Sequence, residues 1–196
     1  SNELVSVRQP DNSTDHQSAG RTIHRGIEYG ISYQPNSEWL LRFGGTNAIH
    51  RFEDFQLSKR STDVIQNVDG KEMPQSPHWI ANSEVTYKPE YLKGFRIALE
   101  WQRISAWYQD QVNNVRYADE GLFGLQGVSY LNLRTGYERK GFEVFINLMN
   151  ATDELYANAA TRGNLKMDRT TYTPAAPRTF IFGIQYTFTN KNSSAQ

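Results

Sequence analysis

The chain has 196 residues, which is enough for one domain with a hydrophobic core. Its 21 basic and 21 acidic residues balance to a formal net charge of zero, so the composition gives no electrostatic basis for binding nucleic acid. Cysteine is absent, which excludes disulfide bonds and thiol chemistry.

Seven segments alternate apolar and polar residues as β-strands do, and none shows the 3.6-residue period of a helix. In chain order they are 22–34, 38–57, 78–88, 95–109, 129–138, 142–149 and 178–188. The last segment is the clearest, because a large apolar residue occupies every second position from Phe180 to Phe188. The positions between are small or polar, apart from Ile181. A large apolar face opposite a polar face is typical of strands in a transmembrane β-barrel.

The overall polarity of the chain is compatible with a barrel. Mean hydropathy is −0.68, but about half of each barrel strand faces a polar interior and the loops are hydrophilic. No run approaches the roughly 18 apolar residues that a membrane helix needs. Aromatic residues make up 13% of the chain, and those near the predicted short turns form a candidate interfacial girdle. Its members are Tyr33, Trp39, Tyr87, Phe95, Tyr137, Phe142 and Phe188.

Short and long connections alternate along the chain. The short ones, built from turn-forming residues, are 35–37, 89–94 and 139–141. The long ones are 58–77, 110–127 and 150–177. Such alternation places every long loop at one end of the sheet, as in outer-membrane barrels. A soluble all-β sandwich is the alternative fold, but it provides no reason for that asymmetry.

The polar register of the strands carries most of their charged residues. A base at the bilayer midplane would cost about 2–4 kcal/mol, whereas acids and bases on a wet inner wall can pair. We therefore expect one face to contact lipid through Ile97, Leu99, Leu131, Leu133, Phe180, Phe182, Ile184 and Tyr186. We expect the opposite face to carry Arg96, Glu100, Arg134 and Glu143.

Three parts are predicted along the chain: a polar leading loop at 1–21, a barrel portion at 22–188 and a polar tail at 189–196. Seven strands is an odd number, whereas bacterial single-chain barrels close with even numbers. An open strand edge in lipid would also leave backbone groups without partners. The predicted fold class is therefore all-β: about seven C-terminal strands of a larger, antiparallel, up-and-down transmembrane β-barrel.

The order of several short motifs resembles TonB-dependent outer-membrane receptors, especially those for ferric siderophores. Residues 19–29 resemble a strand that these receptors carry before their last long loops, and Gly70-Lys-Glu-Met-Pro74 with Pro77 resembles an entry from loop into strand. Tyr108-Gln-Asp-Gln-Val-Asn-Asn114 is similar to the loop after the next strand. Residues 145–156 resemble the N-L-x-D-x-x-Y ending of the penultimate strand. Residues 172–180 and the terminal strand complete the match.

This resemblance implies a plugged barrel of about 22 strands in the outer membrane of a Gram-negative bacterium. The receptor would bind an iron-siderophore-like ligand and import it with energy from the TonB–ExbB–ExbD complex, which acts through an N-terminal plug. Outer-membrane lipid and the barrel-assembly machinery would be further partners. Nothing in the chain matches the plug or the TonB box. Two departures concern assembly: a tail follows Phe188, and Ile181 stands where the family's assembly signal usually has a polar residue.

Basic and aromatic residues in the long loops are the candidate ligand contacts. Ferric chelates are bulky and often anionic, and Arg and Tyr suit them by charge-assisted hydrogen bonding and stacking. The candidates are His50, Arg51, Arg116, Tyr117, Arg162, Lys166, Arg169 and Tyr172. A solvated rim without ligand contacts is the alternative interpretation of each of them.

No catalytic motif emerges, so the chain is not expected to be an enzyme. The four histidines are not spaced as metal ligands, and neither a metal site nor a cofactor is predicted. A soluble all-β module that binds a ligand or carbohydrate is the alternative function. An outer-membrane lipase-type barrel is a more distant one.

Overall fold

The computed structural model describes residues 4–18, 20–63, 67–120, 126–163 and 169–188. Within them the chain forms thirteen β-strands. They are β1 (Leu4–Arg8), β2 (Thr14–Ser18), β3 (Arg21–Tyr33), β4 (Trp39–Asp54), β5 (Trp79–Tyr87), β6 (Phe95–Ile104), β7 (Trp107–Tyr108), β8 (Arg116–Tyr117), β9 (Val128–Arg139), β10 (Phe142–Met149), β11 (Ala157–Arg162), β12 (Thr170–Pro174) and β13 (Thr179–Tyr186).

Seven of these strands form one antiparallel sheet in the order β3-β4-β5-β6-β9-β10-β13. Each of its strands pairs with the one that follows it in the sheet order, without a crossover. The other strands form three separate hairpins, β1-β2, β7-β8 and β11-β12. This arrangement confirms the predicted up-and-down meander with all long loops at one end. Within the described residues there is no second sheet packed face to face on the first, as a sandwich would require.

The predicted strands are confirmed, with differences at the loop ends. The segment predicted at 95–109 is two strands, because β6 ends at Ile104 and the chain leaves the sheet before β7. The backbone N–H of Ser105 donates to the carbonyl of Trp79 at 2.8 Å, one residue beyond the last register pair of β5 and β6. The segment predicted at 38–57 likewise leaves the sheet after Asp54. Apolar residues still alternate after Asp54 because Phe55 and Leu57 are buried in a separate core that the loops form.

The strand register places the two predicted residue sets on opposite faces of the sheet. One cross-strand row runs Leu41, Val85, Leu99, Leu133, Leu148 and Phe180. The adjacent row on the other face runs Arg42, Glu84, Glu100 and Asn132. The separation of apolar from charged residues is therefore as predicted. Contact of the apolar face with lipid stays a prediction.

The short-turn end of the sheet is aromatic. The rings of Trp39 and Tyr87 lie 4.5 Å apart, and those of Phe142 and Tyr186 lie 4.3 Å apart. Between β9 and β10, Lys140 and Gly141 both adopt positive φ, of 51° and 83°, as the two central residues of a type I′ hairpin must. These ring pairs place Trp39, Tyr87 and Phe142 of the predicted girdle at this end of the sheet, and a girdle at the membrane interface stays a prediction.

Within the leading segment predicted as a polar loop at 1–21, residues 4–18 form a β-hairpin. Strands β1 and β2 pair from Leu4–Ser18 to Arg8–Thr14, and Asp11 stabilises the turn by accepting bonds from the N–H and the Oγ of Ser13. The sequence offers little sign of this hairpin, because its stability depends on Val7, which is fully buried against a distant loop.

Candidate functional site

The long connections and the β1-β2 hairpin interlock at one end of the sheet, and we call them the loop layer. It comprises residues 4–18, 55–63, 67–78, 105–120, 150–163 and 169–178. A small core holds its first part together: Val7, Phe52, Phe55, Leu57, Val68 and Val112 are buried, with Met73 packed against them. Phe52 comes from the end of β4, so this core also fastens the loop layer to the sheet.

Backbone hydrogen bonds join one loop to the next. Arg8 forms a parallel bridge with Ser58, and the N–H of Gln75 donates to the carbonyl of Tyr108 at 3.0 Å. The N–H of Arg162 donates to the carbonyl of Gln109 at 2.9 Å. Each loop therefore contacts its neighbour through directional bonds, and the layer behaves as a connected surface rather than as independent loops.

Asp110 organises the turn that follows β7. It is 2% exposed, and its Oδ1 accepts the N–H of Val112 at 3.1 Å and that of Asn114 at 3.0 Å. The side chain of Asn113 then bonds both backbone groups of Glu72, at 2.7 and 2.8 Å. This is the Asx-type use of a short polar side chain to replace backbone partners, and it joins two loops that are distant in sequence.

An aromatic cluster lies beside this turn, formed by Trp107, Tyr117 and Tyr172. The rings of Trp107 and Tyr117 lie 4.6 Å apart, and those of Tyr117 and Tyr172 lie 6.1 Å apart. The Tyr117 hydroxyl accepts the backbone N–H of Ala157 at 2.5 Å. Desolvation by burial raises the pKa of Tyr117.

The structure places several predicted ligand contacts at this cluster. Tyr117 and Tyr172 are members of it, and Tyr172 is 55% exposed. The guanidinium carbon of Arg116 lies 5.3 Å from the centroid of the Tyr108 ring, within cation–π range. Arg162 and Arg169 flank the connection between β11 and β12. Lys166 falls outside the described residues.

His50 and Arg51 lie elsewhere, near the loop end of β4 and on opposite faces of it. Arg51 Nη2 is 3.9 Å from Glu72 Oε1, so its charge is partly balanced within the protein. His50 pairs directly with His24 on β3, and their Nδ1 atoms are 2.7 Å apart. The sequence separation of these histidines gave no sign of this proximity, because strand pairing alone produces it.

The polar face of the sheet carries an ion-pair network that lines a cavity. Glu84 lies between Arg42, at 3.6 Å, and Arg134, while Arg96 pairs with Glu143. Glu100 accepts bonds from the amides of Asn132 at 2.9 Å and Gln102 at 3.0 Å. The register predicted the face on which these groups lie, but the partners depend on which strands are neighbours.

Two features are absent from the described part of the chain. No group of three or more His, Cys, Asp or Glu side chains is arranged to hold a metal ion among these residues. Over the same residues, no helix is long and apolar enough to cross a membrane.

Several solved structures share the fold of this chain. The siderophore receptor PiuA from Acinetobacter baumannii matches with a TM-score of 0.69 and 17% identity, over 92% of this chain and 24% of PiuA. The ferric yersiniabactin uptake receptor FyuA from Yersinia pestis matches with a TM-score of 0.67 and 16% identity, over 89% of this chain and 25% of FyuA. The ferric preacinetobactin receptor BauA from Acinetobacter baumannii matches with a TM-score of 0.62 and 19% identity, over 94% of this chain and 25% of BauA.

These similarities cover only part of the matched proteins, since the chain spans about a quarter of their length. A comparison with curated proteins finds no match. The family described as TonB dependent receptor-like, beta-barrel matches residues 1–151, which is most of the chain and includes six of the seven strands of the main sheet. The chain therefore belongs to the β-barrel family of TonB-dependent receptors.

Proposed function

We propose that this chain forms C-terminal wall strands and outer loops of a receptor in the outer membrane of a Gram-negative bacterium. The receptor binds an iron-siderophore-like chelate and imports it with energy from TonB–ExbB–ExbD, which acts through a plug outside this chain. The observation that carries the proposal is the one-ended loop layer on a single sheet whose two faces differ in polarity. Family membership supports the TonB-coupled class of transport.

The apolar face supports the membrane location. Large apolar side chains remain exposed on several of its strands, including Ile27 at 71%, Ile146 at 47% and Phe180 at 71%. A continuous apolar face of this kind is larger than water-soluble monomers usually expose. The absence of a second sheet against it in the described residues argues against the soluble-module alternative. Lipid would cover this face, and the barrel-assembly machinery would insert it.

The loop layer supports ligand binding at the opposite end from the short turns. Tyr117 and Tyr172 lie together there, Arg116 is next to Tyr117 in β8, and Arg162 and Arg169 lie at the ends of the adjoining hairpin connection. Loops held on a rigid scaffold commonly carry recognition, and this combination of rings and guanidinium groups suits an anionic, partly aromatic chelate. Lys166 belongs to the same connection by sequence. His50 and Arg51 are a second, separate patch near the rim.

A variant of the full-length receptor tests this proposal. Replacing Arg162, Lys166, Arg169 and Tyr172 with Ala should weaken binding of the cognate ferric chelate at least about tenfold, since charged hydrogen bonds contribute about 1.5–3 kcal/mol each. Surface expression should not change, because Arg162, Arg169 and Tyr172 lie in or beside the β11-β12 hairpin and outside the main sheet. Binding of radiolabelled ferric chelate to whole cells provides the measurement.

The matched control removes similar side chains from the short-turn end. Replacing Lys88, Tyr91, Lys93 and Arg139 with Ala deletes three cations and one tyrosine there and should leave the affinity unchanged. Equal affinity of the loop variant and the wild type would remove this hairpin from the binding site. Loss of affinity in both variants would point to a general effect of charge instead.

A further inference from the structure

We propose that His24 and His50 form a binding site for a divalent transition-metal ion, with Cu²⁺ preferred, on the polar face of the sheet. The two residues are direct cross-strand partners on β3 and β4. Their ring centroids lie 5.0 Å apart and their Nδ1 atoms 2.7 Å apart. Two imidazole nitrogens held this close together are the donor type that Cu²⁺, Ni²⁺ and Zn²⁺ prefer.

The distance between the two nitrogens selects among these ions. With metal–nitrogen bonds of about 2.0–2.1 Å, donors 2.7 Å apart subtend an angle of about 80–85° at the metal. This is close to the right angle between neighbouring ligands in a square-planar or tetragonal Cu²⁺ site. A tetrahedral Zn²⁺ site would need the nitrogens about 3.3 Å apart. The observed separation is therefore closer to the one that Cu²⁺ needs, and Zn²⁺ requires the two nitrogens to move apart.

Thr22 provides the support that such a site needs. Its Oγ1 lies 3.0 Å from His24 Nε2, and Thr22 is 6% exposed. When this hydroxyl accepts the Nε2 proton, the Nδ1 of His24 keeps its lone pair toward His50. Metal-binding histidines commonly hold their second nitrogen in this way, which fixes the tautomer and the ring orientation.

Metal binding moves one proton within the His24–His50 pair. In the metal-free protein one Nδ1 must carry the proton between the rings, because two lone pairs repel at this distance. With His24 protonated on Nε2, that proton belongs to His50. Metal binding takes up both Nδ1 lone pairs, and the His50 proton transfers through solvent to its own Nε2. Both imidazoles stay neutral, so no net proton is released.

The surroundings favour an exchangeable ion rather than a structural one. His24 is exposed and His50 half-buried, so water can fill the remaining coordination positions. The cations next to them in sequence, Arg25 and Arg51, occupy the other face of the strands, and Arg51 faces Glu72. Because no third protein ligand of the usual types joins the pair within the described residues, the ion would remain open to exchange and to ligands from solution.

The test uses the full-length receptor in detergent with CuCl₂ as the probe. Wild-type receptor should bind one more Cu²⁺ than either His24→Ala or His50→Ala, measured by titration calorimetry. Electron paramagnetic resonance should show coupling to two nitrogens for that ion, and the coupling should be lost in both variants. The His16→Ala variant is the matched control, because His16 lies in the β1-β2 hairpin beside Ser6 and should leave the signal unchanged.

Glutamine variants with a check of folding, and a comparison of Cu²⁺ with Zn²⁺, complete the test. The variants His24→Gln and His50→Gln preserve polarity on this face, and their folding is checked by heat-dependent migration on a gel. An equal Cu²⁺ stoichiometry and an unchanged spectrum in folded His24 and His50 variants would overturn the site. An affinity for Zn²⁺ as high as that for Cu²⁺ would overturn the square-planar geometry. Neither result depends on whether the receptor imports a siderophore.

Discussion

The phenyl ring of Phe145 occupies the space beside the Cα of Gly183 that a side chain would otherwise fill. The two residues are direct partners on β10 and β13, and a Cβ built on Gly183 would collide with three ring carbons of Phe145. Gly136 on β9 is the partner of Phe145 on its other side. The guanidinium of Arg96 on β6 covers Gly136, and a Cβ built on Gly136 would lie 3.0 Å from the Cζ of Arg96. Large side chains thus alternate with glycines across the polar face.

Replacing Gly183 with Val should destabilise the docking of β13 by about 1–3 kcal/mol, the usual cost of overpacking. The measurement is urea unfolding of the full-length receptor in lipid vesicles. Gly30→Val is the control. Gly30 lies on β3, on the same polar face of the sheet as Gly183, and a Cβ at Gly30 would meet nothing within 4 Å. Adding Phe145→Ala to the Gly183 variant should restore part of the loss. An identical unfolding midpoint for the Gly183 and Gly30 variants would show that the ring moves aside without cost.

The two faces of the sheet should differ in their surroundings. Spin labels that replace Ile97, Leu99, Leu133 or Phe182 should show high oxygen accessibility in bilayers, because these residues share the apolar face. Labels that replace Arg96, Glu100, Arg134 or Glu143 should instead be accessible to a water-soluble nickel reagent or shielded from both probes. High oxygen accessibility of this second set would mean that the register is shifted by one residue, because such a shift reverses every side chain.

The strands could be predicted from the sequence because their signal is local. Alternation of two kinds of residue from Phe180 to Tyr186 fixes both the strand and its faces. A turn such as Lys140-Gly141 then determines the register with the next strand, since a two-residue hairpin leaves no choice of partner. Together these local signals are sufficient for a meander, in which sequence neighbours are also spatial neighbours.

The loop layer could not be predicted in the same way, because its contacts join residues far apart in the chain. Val7 and Val112 share one core although more than a hundred residues separate them. The local sequence around either valine does not predict its contact with the other. His24 and His50 present the same difficulty at shorter range. The polar sequence of the β1-β2 hairpin therefore predicts an irregular loop, although Val7 is buried in the core.

Glu84 should matter more to stability than the arginines around it. Its side chain is 14% exposed, whereas those of Arg42 and Arg134 are 59% and 43% exposed. Replacing Glu84 with Gln leaves two guanidinium groups without their shared carboxylate and should cost about 1–3 kcal/mol. Arg42→Ala should cost less than about 1 kcal/mol, as exposed ion pairs generally do. Urea unfolding of the full-length receptor compares the two variants, and equal losses would contradict the central role of Glu84.

Asp110 connects the order of the loop layer to binding. Its carboxylate accepts backbone N–H groups of Val112, Asn114 and Val115, and hydrogen bonds to a charged acceptor contribute about 1.5–3 kcal/mol each. Replacing Asp110 with Ala should therefore release the turn and, with it, the contact between Asn113 and Glu72. We expect faster amide hydrogen exchange in residues 110–115 and in 72–75, but not in the strands of the sheet.

Ligand affinity should fall in the Asp110→Ala receptor even though no proposed ligand contact has been removed, because Arg116 and Tyr117 follow the released turn directly. The control is Asp153→Ala, since the Asp153 side chain is 53% exposed and pairs with Arg178 rather than with a proposed ligand contact. Binding of the cognate ferric chelate to whole cells should weaken for the first variant and stay unchanged for the second. Faster exchange at 110–115 with unaltered affinity would show that this loop is ordered for reasons other than ligand binding.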